Sequence, residues 1–251
     1  NNFENNILIK LSGDLVMESG ASFMDGVGNA SIEMLGTSLQ SISGPFIGNS
    51  GINKLIINNA AGVELLSDIE INSSLVFTKG LLNTTSTAML QLNYGASYSG
   101  EDNNRYVNGP MRKKGFSSSG FVFPIGKNGI YAPAGLSNLQ NQSNLTVFSA
   151  EYFDFGHPNA TDVNEPLERV SSLEYWDISR LATSASGRVK LHWKDAQNSM
   201  ITDPTALRVA HFNGSSWEDN GYLGSYENGN IGWVMSEDVS SFSPFTFGAT
   251  T

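Results

Sequence analysis

Three histidines, four tryptophans and scattered carboxylates are the residues of this 251-residue chain that could do chemistry. Their spacing limits what that chemistry is. His157, His192 and His211 lie far apart; His192 alternates with Leu191 and Trp193, and His211 sits between Ala210 and Phe212, as strand-face residues do. The chain is rich in serine, so the parts of a Ser/His/Asp arrangement are present, yet no nucleophile elbow marks one. Cysteine is absent, which excludes disulfides, thiolate metal sites and a Cys nucleophile. Zinc-type His/Cys spacing is also missing. Gly126-Lys127-Asn128-Gly129 lacks the spacing, the Lys-Ser/Thr ending and the following helix of a phosphate loop, and reads as a hairpin turn.

Hard oxygen ligands occur in Glu101-Asp102-Asn103-Asn104 and in the run Glu151, Asp154, Asp162, Glu165 and Glu168. Glu101 and Asp102 are the candidate calcium ligands; neither segment has the spacing of a calcium loop, and solvated acids in turns are the ordinary alternative. Arg112-Lys113-Lys114, with Arg105 and Lys127, could meet a phosphate or an anionic polysaccharide, or simply pair with Glu101, Asp102 and the later acids. The aromatic residues are the more specific signal. Trp217, within Asn213-Gly-Ser-Ser-Trp-Glu-Asp-Asn-Gly, and Tyr222, Tyr226 and Trp233 lie among turn residues. A flat ring beside Asn and Asp stacks on sugar faces and bonds hydroxyls, while the same residues also pack hairpins onto a core with their polar tips in solvent. These four are the candidate ligand-binding residues. No catalytic residue and no cofactor other than calcium is assigned.

The elements that must position these residues are strands. Apolar residues alternate with period two in short runs, and almost nowhere does a helical period persist. Ile7–Leu11, Leu15–Met17, Ile32–Leu35, Leu55–Ile57, Val63–Leu65, Ile69–Ile71, Leu75–Phe77 and Met89–Leu92 are separated by connections too short for crossover helices. Leu55 recurs as Leu75, Ile69 as Met89 and Val63 near Leu81, a period of about 20 with three short strands in each. That spacing predicts a short right-handed parallel β-solenoid of about five coils, with aliphatic ladders inside and Gly or Asn at the corners. An antiparallel meander would show the same alternation.

Composition shifts near residue 100. Only Lys10, Lys54 and Lys79 are basic before Arg105, and no acid occurs between Arg105 and Tyr131. We place a boundary there, with residues 1–104 forming the solenoid and residues 105–251 a β-sandwich of Ig-like or jelly-roll-like type. The later strands are richer in aromatics, with Trp176 and Trp193 placed to fill an interior. The expected fold class is therefore all-β.

Charged residues make up 15% of the chain and the net charge is -10, which argues against nucleic acid and anionic membranes as partners. No apolar run approaches the roughly 18 residues that span a bilayer, so membrane insertion is not expected. The opening Asn1-Asn2-Phe3-Glu4 has no signal-peptide pattern, as expected of an intracellular protein or of a mature fragment whose export signal has been removed.

Two groups of residues carry a family resemblance. Asn53-Lys-Leu-Ile-Ile-Asn-Asn-Ala-Ala-Gly-Val-Glu-Leu, followed by Ile69-Glu-Ile-Asn-Ser-Ser-Leu-Val-Phe-Thr-Lys-Gly-Leu-Leu-Asn-Thr, resembles the solenoid-like repeats of large secreted and cell-surface proteins of Bacteroidetes-type bacteria. Tyr106-Val-Asn-Gly-Pro-Met-Arg-Lys, Phe121-Val-Phe-Pro-Ile-Gly-Lys-Asn-Gly-Ile-Tyr-Ala-Pro, Glu174-Tyr-Trp-Asp-Ile, Leu207-Arg-Val-Ala-His-Phe-Asn-Gly-Ser-Ser-Trp and Ser241-Phe-Ser-Pro-Phe-Thr-Phe-Gly are similar to a module that follows such repeats. The resemblance implies cargo of the type IX secretion system, located outside the cell or on its surface, with neighbouring domains in a longer chain and with adhesion as its role. It implies no catalytic residues. The expected function is thus a non-enzymatic spacer and attachment scaffold whose partner is a glycan or a cell-surface protein; the alternative is a carbohydrate-binding accessory module of a polysaccharide-degrading protein. A polysaccharide-cleaving β-helix is a third option, for which no convergent carboxylates with a Lys or Arg base are evident.

Overall fold

Aliphatic residues recur through the first hundred positions because each strand lies beside its equivalent one turn away. A computed structural model describes residues 7–22, 30–117, 119–193, 199–228 and 231–250, and 54% of these described residues are strand. It divides into two units, Asn1–Lys114 and Gly115–Thr251.

The first unit contains β1 (Leu8–Leu11), β2 (Leu15–Val16), β3 (Ser31–Met34), β4 (Gln40–Ser43), β5 (Ile52–Asn58), β6 (Val63–Leu65), β7 (Ile69–Lys79), β8 (Leu82–Asn83), β9 (Leu90–Leu92), β10 (Ser97–Ser99), β11 (Val107–Asn108) and β12 (Met111–Lys114). The pairings among these twelve strands are parallel, which removes the antiparallel meander. One ladder runs β1-β3-β5-β7-β10, a second β2-β4-β6-β8-β11, and a third passes from the start of β7 through β9 to β12. The result is a β-solenoid of about four turns. The strands expected at Ile69–Ile71 and Leu75–Phe77 are two arms of β7: the first arm pairs with β9, the second with β10, and Asn72 and Ser73 stand exposed between them. β11 and β12 extend the ladders beyond residue 104, and the first unit accordingly runs to Lys114.

Inside, Ile32, Leu55 and Leu75 stack in register, as do Met34, Ile57 and Phe77 and, on another face, Ile69, Leu90 and Met111, all buried. Leu55 does meet Leu75, but the neighbour of Ile69 is Leu90 rather than Met89, and that of Val63 is Leu82 rather than Leu81. The turn lengths vary by a residue, and a fixed period of 20 misplaces partners by one position, which in a strand means the opposite face. Outside, polar side chains form their own ladder: Asn93 Nδ2 donates to Asn72 Oδ1 at 2.7 Å, and Asn108 Nδ2 to Asn83 Oδ1 at 2.8 Å. At one corner the buried Asn59 donates from Nδ2 to Ser38 O and to Gln40 Oε1, so a polar group inside the stack keeps its hydrogen bonds.

Lys113 breaks the aliphatic pattern. It occupies the ladder position of Ile52, Ile71 and Leu92, is 5% exposed, and donates from Nζ to the carbonyls of Asn93 and Ala96. Burial lowers its pKa from 10.5 to about 8. Below pH 8 both folded and unfolded chains carry the proton, and the folded state bears the full cost of the buried ammonium. Between pH 8 and 10.5 the unfolded chain holds more protons, so the stability of this unit should rise with pH across that window. Thermal unfolding of the native protein and of Lys113→Met from pH 7 to 10.5 checks this; the variant should lack the Lys113 share of the rise, and parallel curves would contradict it.

The second unit contains β13 (Phe121–Phe123), β14 (Ile125–Lys127), β15 (Ile130–Tyr131), β16 (Ala134–Gln140), β17 (Val147–Phe153), β18 (Arg169–Val170), β19 (Tyr175–Ala182), β20 (Ser186–Trp193), β21 (Leu207–Phe212), β22 (Trp217–Asp219), β23 (Gly224–Asn228), β24 (Ile231–Val239) and β25 (Pro244–Ala249). β14 and β15 form a hairpin through the expected turn. The rest make two antiparallel sets, β17-β19-β25-β21-β22 with β18 beside β25, and β13-β16-β20-β24-β23. Trp176 and Trp193 are both buried; each meets Phe247 edge to face, at 5.1 and 5.8 Å between ring centroids, and Trp176 Nε1 donates to Ala132 O at 2.8 Å.

Candidate functional site

The alternation of β20 sorts its side chains between two faces. Gly187, Val189, Leu191 and Trp193 are buried, which leaves Arg188, Lys190 and His192 on the outer face. In β24 the same rule buries Gly232, Val234 and Ser236 and leaves Trp233 and Met235 outside. Register then sets the neighbours: Trp233 faces His192 on one side and Tyr226 of β23 on the other, while Lys190 faces Met235. At the usual strand spacing of about 4.8 Å, the rings of Tyr226, Trp233 and His192 form a row about 10 Å long across three strands. Gly135 lies opposite Lys190 and Val122 opposite Gly135, and the side chains of Lys190, Val122 and His192 close over the glycine.

Lys190 reaches over the indole of Trp233, with Nζ 4.3 Å from the ring centroid, and burial lowers its pKa. Tyr226 is 53% exposed, Trp233 is half-buried, and Tyr222 is 38% exposed. The Tyr222 hydroxyl lies 2.9 Å from Ser225 Oγ, and Arg208 lies 5.4 Å from its ring. Gly224 has φ +142, and a Cβ there would stand 3.9 Å from the Trp233 ring, so a larger side chain would cover it. The structure therefore gathers Tyr222, Tyr226 and Trp233 around β23. His192, its ring Nδ1 at 3.1 Å from Pro133 O, and Lys190 join them. The sequence hinted at both through the alternation Arg188, Lys190, His192, but which strand lies beside β20 is a non-local fact.

Trp217 does not belong to this group. Its ring is fully buried among Leu167, Val170, Ala210 and Phe212, and Nε1 donates to Asn159 O at 3.0 Å. The expectation that it presents a face to ligand is corrected by this burial. Its Gly/Ser flank is a turn, but the residue itself opens β22 and pairs with Phe212.

The candidate calcium ligands Glu101 and Asp102 lie in the turn before Arg105. Asp102 is held by Arg105 at 2.7 Å and accepts from the Asn104 N–H at 2.8 Å, and the Arg105 hydrogen bond, then that of Asn104, keeps its carboxyl below the usual range. Among the described residues no three His, Asp, Glu or Cys side chains converge where a metal could sit, at Glu101 or elsewhere. Arg105 with Asp102 and Lys127 with Glu151, at 3.4 Å, pair as the second alternative expects, whereas Arg112 bonds Asp68 at 2.8 Å, an acid outside that expectation.

A Ser/His contact lies in a surface cavity of about 370 Å³ lined by His211, Glu218 and Ser243. His211 Nε2 lies 2.6 Å from Ser243 Oγ, and that hydroxyl also donates to the Phe212 carbonyl. A hydroxyl has one proton, and a carbonyl can only accept, so His211 must be the donor to Ser243. This is the reverse of what an activated nucleophile needs. Burial lowers the His211 pKa, and its ring stacks on Phe245 at 4.6 Å, so it serves as a neutral packing residue. His157 likewise packs against Tyr175, Phe212 and Trp217.

In comparisons with known proteins, no family model matches the chain, and neither a curated protein nor a solved structure matches it.

Proposed function

We propose that this chain is a non-catalytic segment of an exported bacterial surface protein, in which the solenoid is a stiff spacer and the second unit carries an attachment surface. The observation that carries the reading is the continuity of the ladders: backbone, inner aliphatic and outer polar stacks all run from coil to coil in register. Such a stack resists bending because every strand is bonded to its neighbours along its length. The solenoid is right-handed in this reading, as parallel β connections are in nearly all cases. The two antiparallel sets of the second unit form a β-sandwich, a reading supported by the contact of Trp193 from one set with Phe247 of the other. The resemblance to Bacteroidetes-type secretion cargo supports the extracellular or cell-surface location and the adhesive role.

A second reading, a carbohydrate-binding module, is favoured by the half-exposed row Tyr226 and Trp233 with Tyr222 beside it. Beads coated with the protein and washed over polysaccharide films test both readings. Retention without release of reducing ends is the expected result, and retention reduced at least about fivefold by Tyr226→Ala would place attachment on the glycan-binding face. Release of soluble oligosaccharides would overturn the non-catalytic reading.

A further inference from the structure

We infer that the outer face of β20, β24 and β23 binds an acidic polysaccharide, with Tyr226 stacking on a sugar ring, Trp233 holding the Lys190 ammonium beside it and Lys190 meeting a carboxylate or sulfate ester. This rests on the carbohydrate-binding reading and specifies its ligand. Lys190 carries the charge argument. Arg188, two residues earlier on the same face, is neutralised by Asp238 at 3.0 Å, and Arg208 near Tyr222 reaches Asp219 at 3.9 Å. Lys190 makes no ion pair among the described residues, and its partner is the Trp233 ring. A cation held over an indole is positioned and partly stripped of water before any ligand arrives, so pairing with an anion costs little further ordering.

Of the acids on these strands, Glu237 and Asp238 lie at the end of β24, Asp238 already within the ion pair, whereas Glu227 of β23 pairs with Gly232 at the other end, one residue past Tyr226. Gly224 leaves the β23 side of the ring row low, so an extended chain can approach Tyr226 and Trp233 from that edge. The net charge of -10 opposes a polyanion at long range. At physiological ionic strength that field is screened over about 8 Å, and contact charges decide affinity.

Binding isotherms with polygalacturonate, its fully methyl-esterified form, dextran sulfate and dextran test the inference. The native protein should bind polygalacturonate about tenfold or more tighter than the ester. Lys190→Met, which keeps an apolar stem against Trp233, should abolish that preference without a change in melting temperature, and Lys190→Arg should restore it. Dextran sulfate binding as well as polygalacturonate would identify negative charge as the recognised feature, and weaker dextran sulfate binding would identify the carboxylate; either supports the site. Tyr226→Ala should weaken acid and ester alike. Equal affinity for acid and ester, or a preference untouched by Lys190→Met, overturns the acidic ligand and leaves the carbohydrate reading standing. Binding to none of the four polysaccharides, nor to neutral glycans on an array, overturns that reading together with the inference.

Discussion

Gly80→Ala should destabilise the solenoid by about 3–5 kcal/mol, combining a left-handed backbone penalty with a clash that the stack cannot relax. Gly80 has φ +79, and a Cβ there would fall inside the carbonyl oxygen of Asn59, one coil back. That oxygen has nowhere to retreat. Asn59 is fully buried, its N–H donates to Lys79 O at 3.1 Å, and its side chain is tied to Ser38 and Gln40. Gly95 supplies the control, since it has the same φ of +79 but nothing within 4 Å of its would-be Cβ. Gly95→Ala should cost only the backbone share, about 1–2 kcal/mol. Urea unfolding followed by amide exchange in residues 31–114 measures both; equal losses would mean that the corner at Gly80 does not rest on the preceding coil.

Trp217→Ala should cost about 3–5 kcal/mol in the second unit, because it empties a site enclosed by Leu167, Val170, Ala210 and Phe212 and leaves Asn159 O without its indole donor. Tyr226→Ala, at a side chain 53% exposed, should change stability by no more than about 0.5 kcal/mol. The pair separates core from surface among residues that look alike in sequence. A Trp217→Ala protein with unchanged melting and lost ligand binding would reverse the assignment.

The contrast shows where sequence reading succeeds and stops. Period-two alternation and the recurrence of Leu55 as Leu75 made the solenoid legible, because inward ladders demand similar side chains at similar spacing. Partner identity was legible only to within a residue, since the loops around Thr84 and Ser67 absorb differences in turn length that no fixed period records. Arg112-Lys113-Lys114 reads in sequence as a basic stretch that meets an anion or pairs with acids. The burial of Lys113 follows from ladder position, which places it in line with Leu92, and not from residue type. For Trp217 the Gly and Ser neighbours define the turn and not the direction of the ring, and its burial takes the core-packing alternative. Tyr222, Tyr226 and Trp233 stand close in sequence and come together around β23, whereas Lys190 and His192 reach them through the pairing of β20 with β24, across some forty residues of chain. Such long-range pairing is the part of a β fold that local propensity does not encode.

The most direct measurement is side-chain footprinting by carbene labelling, with and without polygalacturonate. Masking confined to Tyr226, Trp233 and Lys190, with Tyr222 at its margin, is the result expected if attachment occurs through the outer face of the sheet. Masking at the Asn213–Trp217 turn, or along the coils of the solenoid, would contradict it.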